Sequence, residues 1–246
     1  MAKIELKEVN VLYQDKKKGF ITAVDNVSFS FVENAINVVM GPSGSGKSTL
    51  LKCLAGQLIY EGNIIYDGVE LESINVKDRK ISYMTQDLTI FPHMNVYENI
   101  MFPLRLMKMD YDLADQRIKD IANELDIDYL LTRKPKYISL GQASRVALAK
   151  ALVKDSDLFL FDEPTRGLDI ENKNKVISLI RNHLKKNNKT AIYVTHDAKE
   201  AIALADYIYV LNNGKLVGTF TPKEFLKSQD ELIKGLRSDL DETEKN

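Results

Sequence analysis

The stretch Val38-Val39-Met40-Gly41-Pro42-Ser43-Gly44-Ser45-Gly46-Lys47-Ser48-Thr49 limits what this chain can fold into more than any other. An apolar, β-prone run over 36–40 breaks into a glycine-rich loop, which opens into the helix-prone Leu50-Leu51-Lys52-Cys53-Leu54-Ala55. Glycines at 41, 44 and 46 let successive backbone N–H groups converge on one concavity, and the following helix adds the positive end of its dipole. Polyphosphate fits such a cradle. Lys47 is placed to reach the β- and γ-phosphate oxygens, and the Ser48 hydroxyl to ligate a magnesium ion bridging them. The pattern G-x-x-x-x-G-K-S in its strand–loop–helix setting thus predicts a nucleotide cradle built from Gly41, Pro42, Ser43, Gly44, Ser45, Gly46, Lys47, Ser48 and Thr49.

A chain of 246 residues, 44% of them hydrophobic, can bury a full core, and its length suits one large domain or one domain with an inserted lobe. The formal net charge of -1 gives no reason to expect nucleic acid as a partner, so the nucleotide is the anion to expect. A single cysteine excludes an intrachain disulfide, and Cys53, in the helix after the loop, reads as a buried thiol in a reducing cytosol. Neither a signal pattern nor an apolar run long enough to span a bilayer is expected, so any membrane role must come through a partner.

Along the chain, residues 3–12 and 21–32 read as a hairpin ahead of the loop, interrupted by the basic insertion Lys16-Lys17-Lys18-Gly19. Tyr13, at the end of the first strand, offers a flat π-surface for adenine. Residues 62–71 form a second hairpin candidate around Asp67-Gly68, and 80–85 a strand ending at Gln86. From 91 to 154 the periodicity turns helical, with Pro103 and Pro135 expected as breaks and Asp110 or Asp112 as an N-cap. This is an inserted helical lobe whose last helix starts at Ser139-Leu140-Gly141-Gln142. Met84, Met94, Met101, Met107 and Met109 crowd this region, and an exposed, adaptable cluster of them would suit a groove for a partner's helix. The continuous apolar run Leu158-Phe159-Leu160-Phe161 is what a parallel strand buried on both faces requires. It delivers Asp162 and Glu163 to the C-terminal end of the sheet, where ligands bind. A helix over 176–185, a buried strand over 190–194 leading to His196, a strand over 207–211, a turn at Asn213-Gly214 and a helix from Pro222 complete the pattern. Residues after about 238 are acidic and expected to fray.

These positions carry chemistry together. Asp162 fits a magnesium ligand beside Ser48, and Glu163 is the group to polarise an attacking water, since proteins catalyse phosphoryl transfer mostly by positioning and charge stabilisation. His196, at the next strand's end, is placed to hydrogen-bond the γ-phosphate region.

Over residues 3–235 the sequence resembles the nucleotide-binding subunits of ABC transporters. Residues 41–48 match that family's Walker A motif, and residues 159–163 its Walker B. Gln86 matches the Q-loop glutamine, which the resemblance also makes a magnesium ligand. Ile138-Ser139-Leu140-Gly141-Gln142 matches the Leu-Ser-Gly-Gly-Gln signature, Leu168-Asp169 the D-loop, His196 the switch histidine and Tyr13 the A-loop aromatic. The resemblance implies an α/β P-loop core with a parallel sheet, an N-terminal antiparallel β-subdomain and an inserted α-helical subdomain. Its parts would be 1–90 with 155–220 as core and β-subdomain, 91–154 as helical subdomain and 221–246 as C-terminal helix and tail, with one ATPase domain over 1–235. It also implies a homodimer or a paired ABC ATPase that sandwiches ATP and Mg2+ between the loop of one subunit and Ser139, Gly141, Gln142 and Asp169 of the other. Closure would drive a polytopic membrane permease from the cytoplasmic face of the membrane.

The sequence departs from the family in two places. Leu140 replaces the first signature glycine, so a positive φ there would add strain of about 1–3 kcal/mol, and Arg166-Gly167 stands where Ser-Ala is commoner. Phe91-Pro92-His93-Met94-Asn95 and the residues after it look like ATPases of solute importers, especially sugar-type ones, although the extra C-terminal β-rich domain usual in that branch is not expected here. The basic insertion is more like branches that move lipids and lipoproteins. A soluble ATPase of the iron–sulfur assembly type is the competing expectation.

Overall fold

The computed structural model describes residues 3–15 and 19–241; the basic insertion at 16–18 and the end of the acidic tail lie outside the described residues. Two sheets share the work. The first is antiparallel, in the order β2-β1-β4-β5, built from β1 (Ile4–Asp15), β2 (Gly19–Phe31), β4 (Glu61–Tyr66) and β5 (Val69–Glu70). Ile4, Leu6, Val9 and Val11 of β1 turn one face inward, and register shifts between Leu6 and Leu12 let the strand bend over α1 (Lys47–Leu54). The β4–β5 hairpin turns at Asp67 (φ 50°) and Gly68 (φ 81°), a left-handed pair that suits the twist of its strands, as the sequence indicated.

The second sheet runs β10-β9-β3-β8-β7-β6, from β3 (Ile36–Met40), β6 (Ile81–Met84), β7 (Leu158–Asp162), β8 (Thr190–Val194), β9 (Tyr207–Asn212) and β10 (Lys215–Phe220). Neighbours from β9 through β6 are parallel, and only β10 returns antiparallel. Every residue of β3, β7 and β8 is buried, the pattern expected where helices cover both faces. Two apolar clusters follow: one between the sheets, around Val39, Leu50, Leu54 and Tyr209, and one running from the parallel sheet into the helical lobe.

That lobe consists of α2 (Val96–Leu106), α3 (Tyr111–Glu124) and α4 (Leu140–Leu152). Pro103 does not break α2 but lies inside it. An interior proline costs about 3 kcal/mol, while burial of Val96, Ile100, Met101 and Leu104, worth roughly 1.5–3 kcal/mol each, outweighs it. Asn95 and Glu98 close a reciprocal capping box at the start of α2, and Asp110, rather than Asp112, caps α3. Pro135 does stand outside any α-helix, opening a short 3-10 turn. The methionines separate: Met84 and Met101 are core residues and Met107 is exposed, so they do not form one exposed cluster.

On the far side, α5 (Ile170–Lys186) starts six residues before the apolar periodicity does, because the Asp169 carboxylate accepts from the Asn172 N–H at 2.9 Å and caps a polar first turn. A helix without a sequence counterpart, α6 (Ala198–Leu204), is capped the same way by Asp197. The chain then continues through α7 (Pro222–Lys227), α8 (Glu231–Leu236) and α9 (Ser238–Asp241), where the described residues end; most of the stretch expected to fray, after about 238, lies outside them.

Candidate functional site

The C-terminal ends of β3, β7 and β8 open on one cleft of about 790 Å³. Its floor is the glycine loop and the start of α1, and Tyr13, Ile21, Gln86, Glu163, Arg166 and His196 line the rest. Gly41, Gly44 and Gly46 have φ of 153°, 79° and 98°, values that free the loop N–H groups to face inward. A Cβ on Gly41 would sit 2.0 Å from the Leu211 carbonyl oxygen, and one on Gly46 2.3 Å from that of Ala23, whereas one on Gly44 would meet nothing within 4 Å. The loop is thus clamped at two glycines between β2 and β9 and free at the third.

Lys47 is buried, and its ammonium donates to the carbonyl oxygens of Gly41 at 2.9 Å and Pro42 at 2.7 Å, bridging the loop it is meant to serve. Burial pulls its pKa below the ordinary value, and Glu163 and Asp162 hold it up. Ser48 Oγ donates to Asp162 Oδ1 at 2.7 Å, across a sequence gap of 114 residues, and Tyr83 OH donates to Asp162 Oδ2 at 3.3 Å. The hydroxyl, the carboxylate and, at the cleft edge, the Gln86 amide are hard oxygen donors of the kind magnesium takes, so the residues present fit that ion.

Glu163 leaves β7 with a left-handed φ of 47°, a cost of order 1–3 kcal/mol that the Glu163 N–H bond to Val194 O at 3.1 Å helps to hold. Its side chain, 18% exposed, meets His196 Nδ1 through Oε1 at 3.1 Å and Arg166 through Oε2 at 3.7 Å. The two oxygens therefore face a histidine that is 65% exposed and a guanidinium that lines the cleft. Sequence reasoning noted Arg166 only as a departure from a motif; nothing in the spacing shows that it folds back onto Glu163. Tyr13 lines the same cleft, with its hydroxyl 3.3 Å from Thr49 Oγ1.

Ser139, Gly141, Gln142 and Asp169 do not line this cleft. They sit together elsewhere, at the starts of α4 and α5. Ser139 caps α4, with its Oγ accepting from the Gln142 N–H at 3.2 Å and Gln142 Oε1 accepting from the Ser139 N–H at 2.9 Å. A Cβ on Gly141 would lie 2.6 Å from Asn172 Oδ1, and the Asn172 amide donates to Asp169 Oδ2 at 2.8 Å, so the two helix starts are in direct contact. Leu140 has no positive φ; it is the first residue of α4 after an extended Ser139 (φ -71°, ψ 166°), and its side chain is 53% exposed beside Gly167. The backbone strain expected there is absent in this state, since the first turn of a helix asks nothing of leucine that leucine does not offer.

A relative from Pyrococcus abyssi, a molybdate/tungstate import ATP-binding protein, is 38% identical over 81% of this chain. An sn-glycerol-3-phosphate import ATP-binding protein of Rhodopseudomonas palustris is 38% identical over 92%, and an oligosaccharides import ATP-binding protein of Bacillus subtilis 35% identical over 96%. The chain spans 58%, 61% and 64% of the lengths of these relatives. Two solved structures share the fold: a dimeric ATP-binding cassette in a post-hydrolysis state bound to ADP and Pi, with TM-score 0.79 and 27% identity, and a dimeric bacterial ABC transporter cassette, with TM-score 0.80 and 28% identity. Each match covers 89% of this chain and 98% of the other. The model of the ABC transporter family matches residues 24–166, more than half of the sequence, and with the parallel sheet, the clamped glycine loop and the Ser48–Asp162 bond already in place, this chain belongs to the ABC transporter family.

Proposed function

We propose that this chain is an ATPase that closes as a head-to-tail pair on ATP and magnesium and passes the motion to a polytopic membrane permease at the cytoplasmic face, in solute import. One observation carries the reading: the residues for phosphate, metal and water share a cleft, while Ser139, Gly141, Gln142 and Asp169 form a second surface outside it. One chain thus holds two half-sites that only a second copy, or a paired ATPase, brings together. The import names of the relatives support the direction of transport, and the dimeric cassettes among the solved structures support the pairing. No helix among the described residues is long and apolar enough to cross a membrane, so the permease would supply the span. Residues 1–235 form one ATPase domain on this reading, with 91–154 as the helical lobe.

The chain's own groups divide the work. Lys47 exchanges its carbonyl partners for β- and γ-phosphate oxygens, and the entering negative charge offsets the burial that depresses its pKa. Tyr13 stacks on adenine. Ser48, Asp162 and Gln86 hold magnesium, which when bound neutralises phosphate charge. Glu163 accepts a hydrogen bond from the attacking water, and His196 orients Glu163 through the 3.1 Å contact and faces the γ-phosphate. Ser139 keeps its hydroxyl proton free to donate to a phosphate of the partner copy, because its oxygen is the acceptor in the α4 cap.

Sedimentation of the Glu163→Gln variant tests the pairing. With MgATP it should run as a dimer and with MgADP as a monomer; a monomer under both conditions would refute the shared site.

A further inference from the structure

Behind the cleft lies a carboxylate that none of these roles uses. Glu200, on α6, is 3% exposed and has hydroxyl donors on both oxygens: Thr165 Oγ1 donates to Oε1 at 2.5 Å, while Thr195 Oγ1 at 2.7 Å and Tyr193 OH at 3.0 Å donate to Oε2. The Lys173 ammonium, on α5, lies 3.2 Å from Oε1 and also donates to Asp197 Oδ2 at 2.8 Å. Burying a carboxylate is expensive unless it is paired and hydrogen-bonded, and here it is both.

The chain positions of its partners give this network a direction. Thr165 lies two residues after Glu163 and Thr195 immediately precedes His196. Both threonines are 2% exposed. Glu163 itself sits in a left-handed backbone conformation that its surroundings must enforce. The ends of β7 and β8 are already neighbours through the Asp162–Val194 pairing and the Glu163 N–H bond to Val194 O, but neither backbone contact reaches His196. We infer that Glu200 is a positioning residue for hydrolysis: through Thr165 and Thr195 it straps the turn carrying Glu163 to the strand end carrying His196, fixing the two side chains on each other. Lys173 extends the strap to α5, whose first turn is capped by Asp169, so the second half-site is tied to the same carboxylate.

This inference rests on the ATPase reading, and its test separates the two. Thr165→Val and Thr195→Val each remove one strap, keep the side-chain volume, and leave Glu200 its other partners including Lys173. Loss of a hydrogen bond to a charged group predicts a kcat lowered roughly tenfold in each variant, with KM and the Kd for a fluorescent ATP analogue within about twofold of wild type. Thr165→Ser and Thr195→Ser, which restore the hydroxyl, should restore kcat, and Glu200→Gln should lower kcat at least as far as either valine variant. Unchanged kcat with only a lowered Tm would overturn the positioning role and leave Glu200 a packing group. Failure of serine to rescue kcat would also overturn it. Lack of ATP turnover by the unmodified chain, alone and with its permease, would instead count against the ATPase reading.

Discussion

The three glycines of the phosphate loop should respond very differently to one added methyl group. Gly44→Ala introduces a Cβ into open space, so its cost is that of an L-residue at φ 79°, about 1–2 kcal/mol. Gly46→Ala carries the same kind of backbone cost at φ 98° and also drives the Cβ to 2.3 Å from the Ala23 carbonyl oxygen. That oxygen belongs to β2, not to a flexible side chain, so relief requires the loop and the strand to move apart, which overpacking data put at about 1–3 kcal/mol more. Gly41→Ala, at 2.0 Å from the Leu211 oxygen, should cost at least as much. For a chain of this size 1 kcal/mol shifts Tm by about 2–4 °C, so Gly44→Ala should lose about 2–8 °C and Gly46→Ala about 4–20 °C. Thermal unfolding by circular dichroism without nucleotide reads the difference directly. Calorimetric titration with MgATP then follows on whichever variants fold, and Gly44→Ala should show weakened binding out of proportion to its small loss of stability, because any relaxation of its left-handed backbone re-aims the N–H groups of the loop that lines the cleft. Equal Tm losses at 44 and 46, or the larger loss at 44, would refute the clamped-loop description.

Leu140→Gly should relieve no strain, because Leu140 already has ordinary helical geometry; it should lower stability by up to about 1 kcal/mol through helix propensity and leave basal turnover within about twofold of wild type. A tenfold rise in turnover would show instead that the leucine side chain obstructs the second copy. Lys150, whose ammonium donates to Thr89 O at 2.8 Å and lies 3.7 Å from the centre of the Phe91 ring, is pulled down by burial to about 8. An unfolded lysine keeps its proton to about 10.4, so between those values the unfolded chain binds more protons and this residue's contribution to stability rises with pH. Lys150→Met should flatten the rise between about pH 8 and pH 10 in denaturant titrations; an unchanged slope would remove Lys150 as its source.

Local chemistry is what the sequence made legible. The glycine loop, the fully apolar 158–161 run and the Asp67-Gly68 turn each encode their structure within a few residues, and all three form as read. What escaped depends on contacts remote in the chain. Pro103 stays helical because packing of α2 overrides a local penalty. The first turn of α5 has no apolar period and stands on its Asp169 cap, and α6 is too short for its periodicity to register. Met84 and Met101 are core residues whose burial is decided by the sheet and helices around them. At the site, residue types and order located the cleft, but the Arg166–Glu163 contact and the Glu200 network depend on side-chain directions that one strand of text does not carry.

Phosphate release by the purified chain and by its Glu163→Gln variant, each alone and with the proposed permease, tests the central claim most directly. Glu163 faces the cleft from a strained turn with His196 on one oxygen, and Gln keeps its shape while losing the charge that draws the water's proton. The account predicts ATP affinity within a few-fold of wild type and turnover reduced at least about a hundredfold, a barrier increase of about 2.7 kcal/mol. Turnover by Glu163→Gln equal to that of the unmodified chain would contradict it.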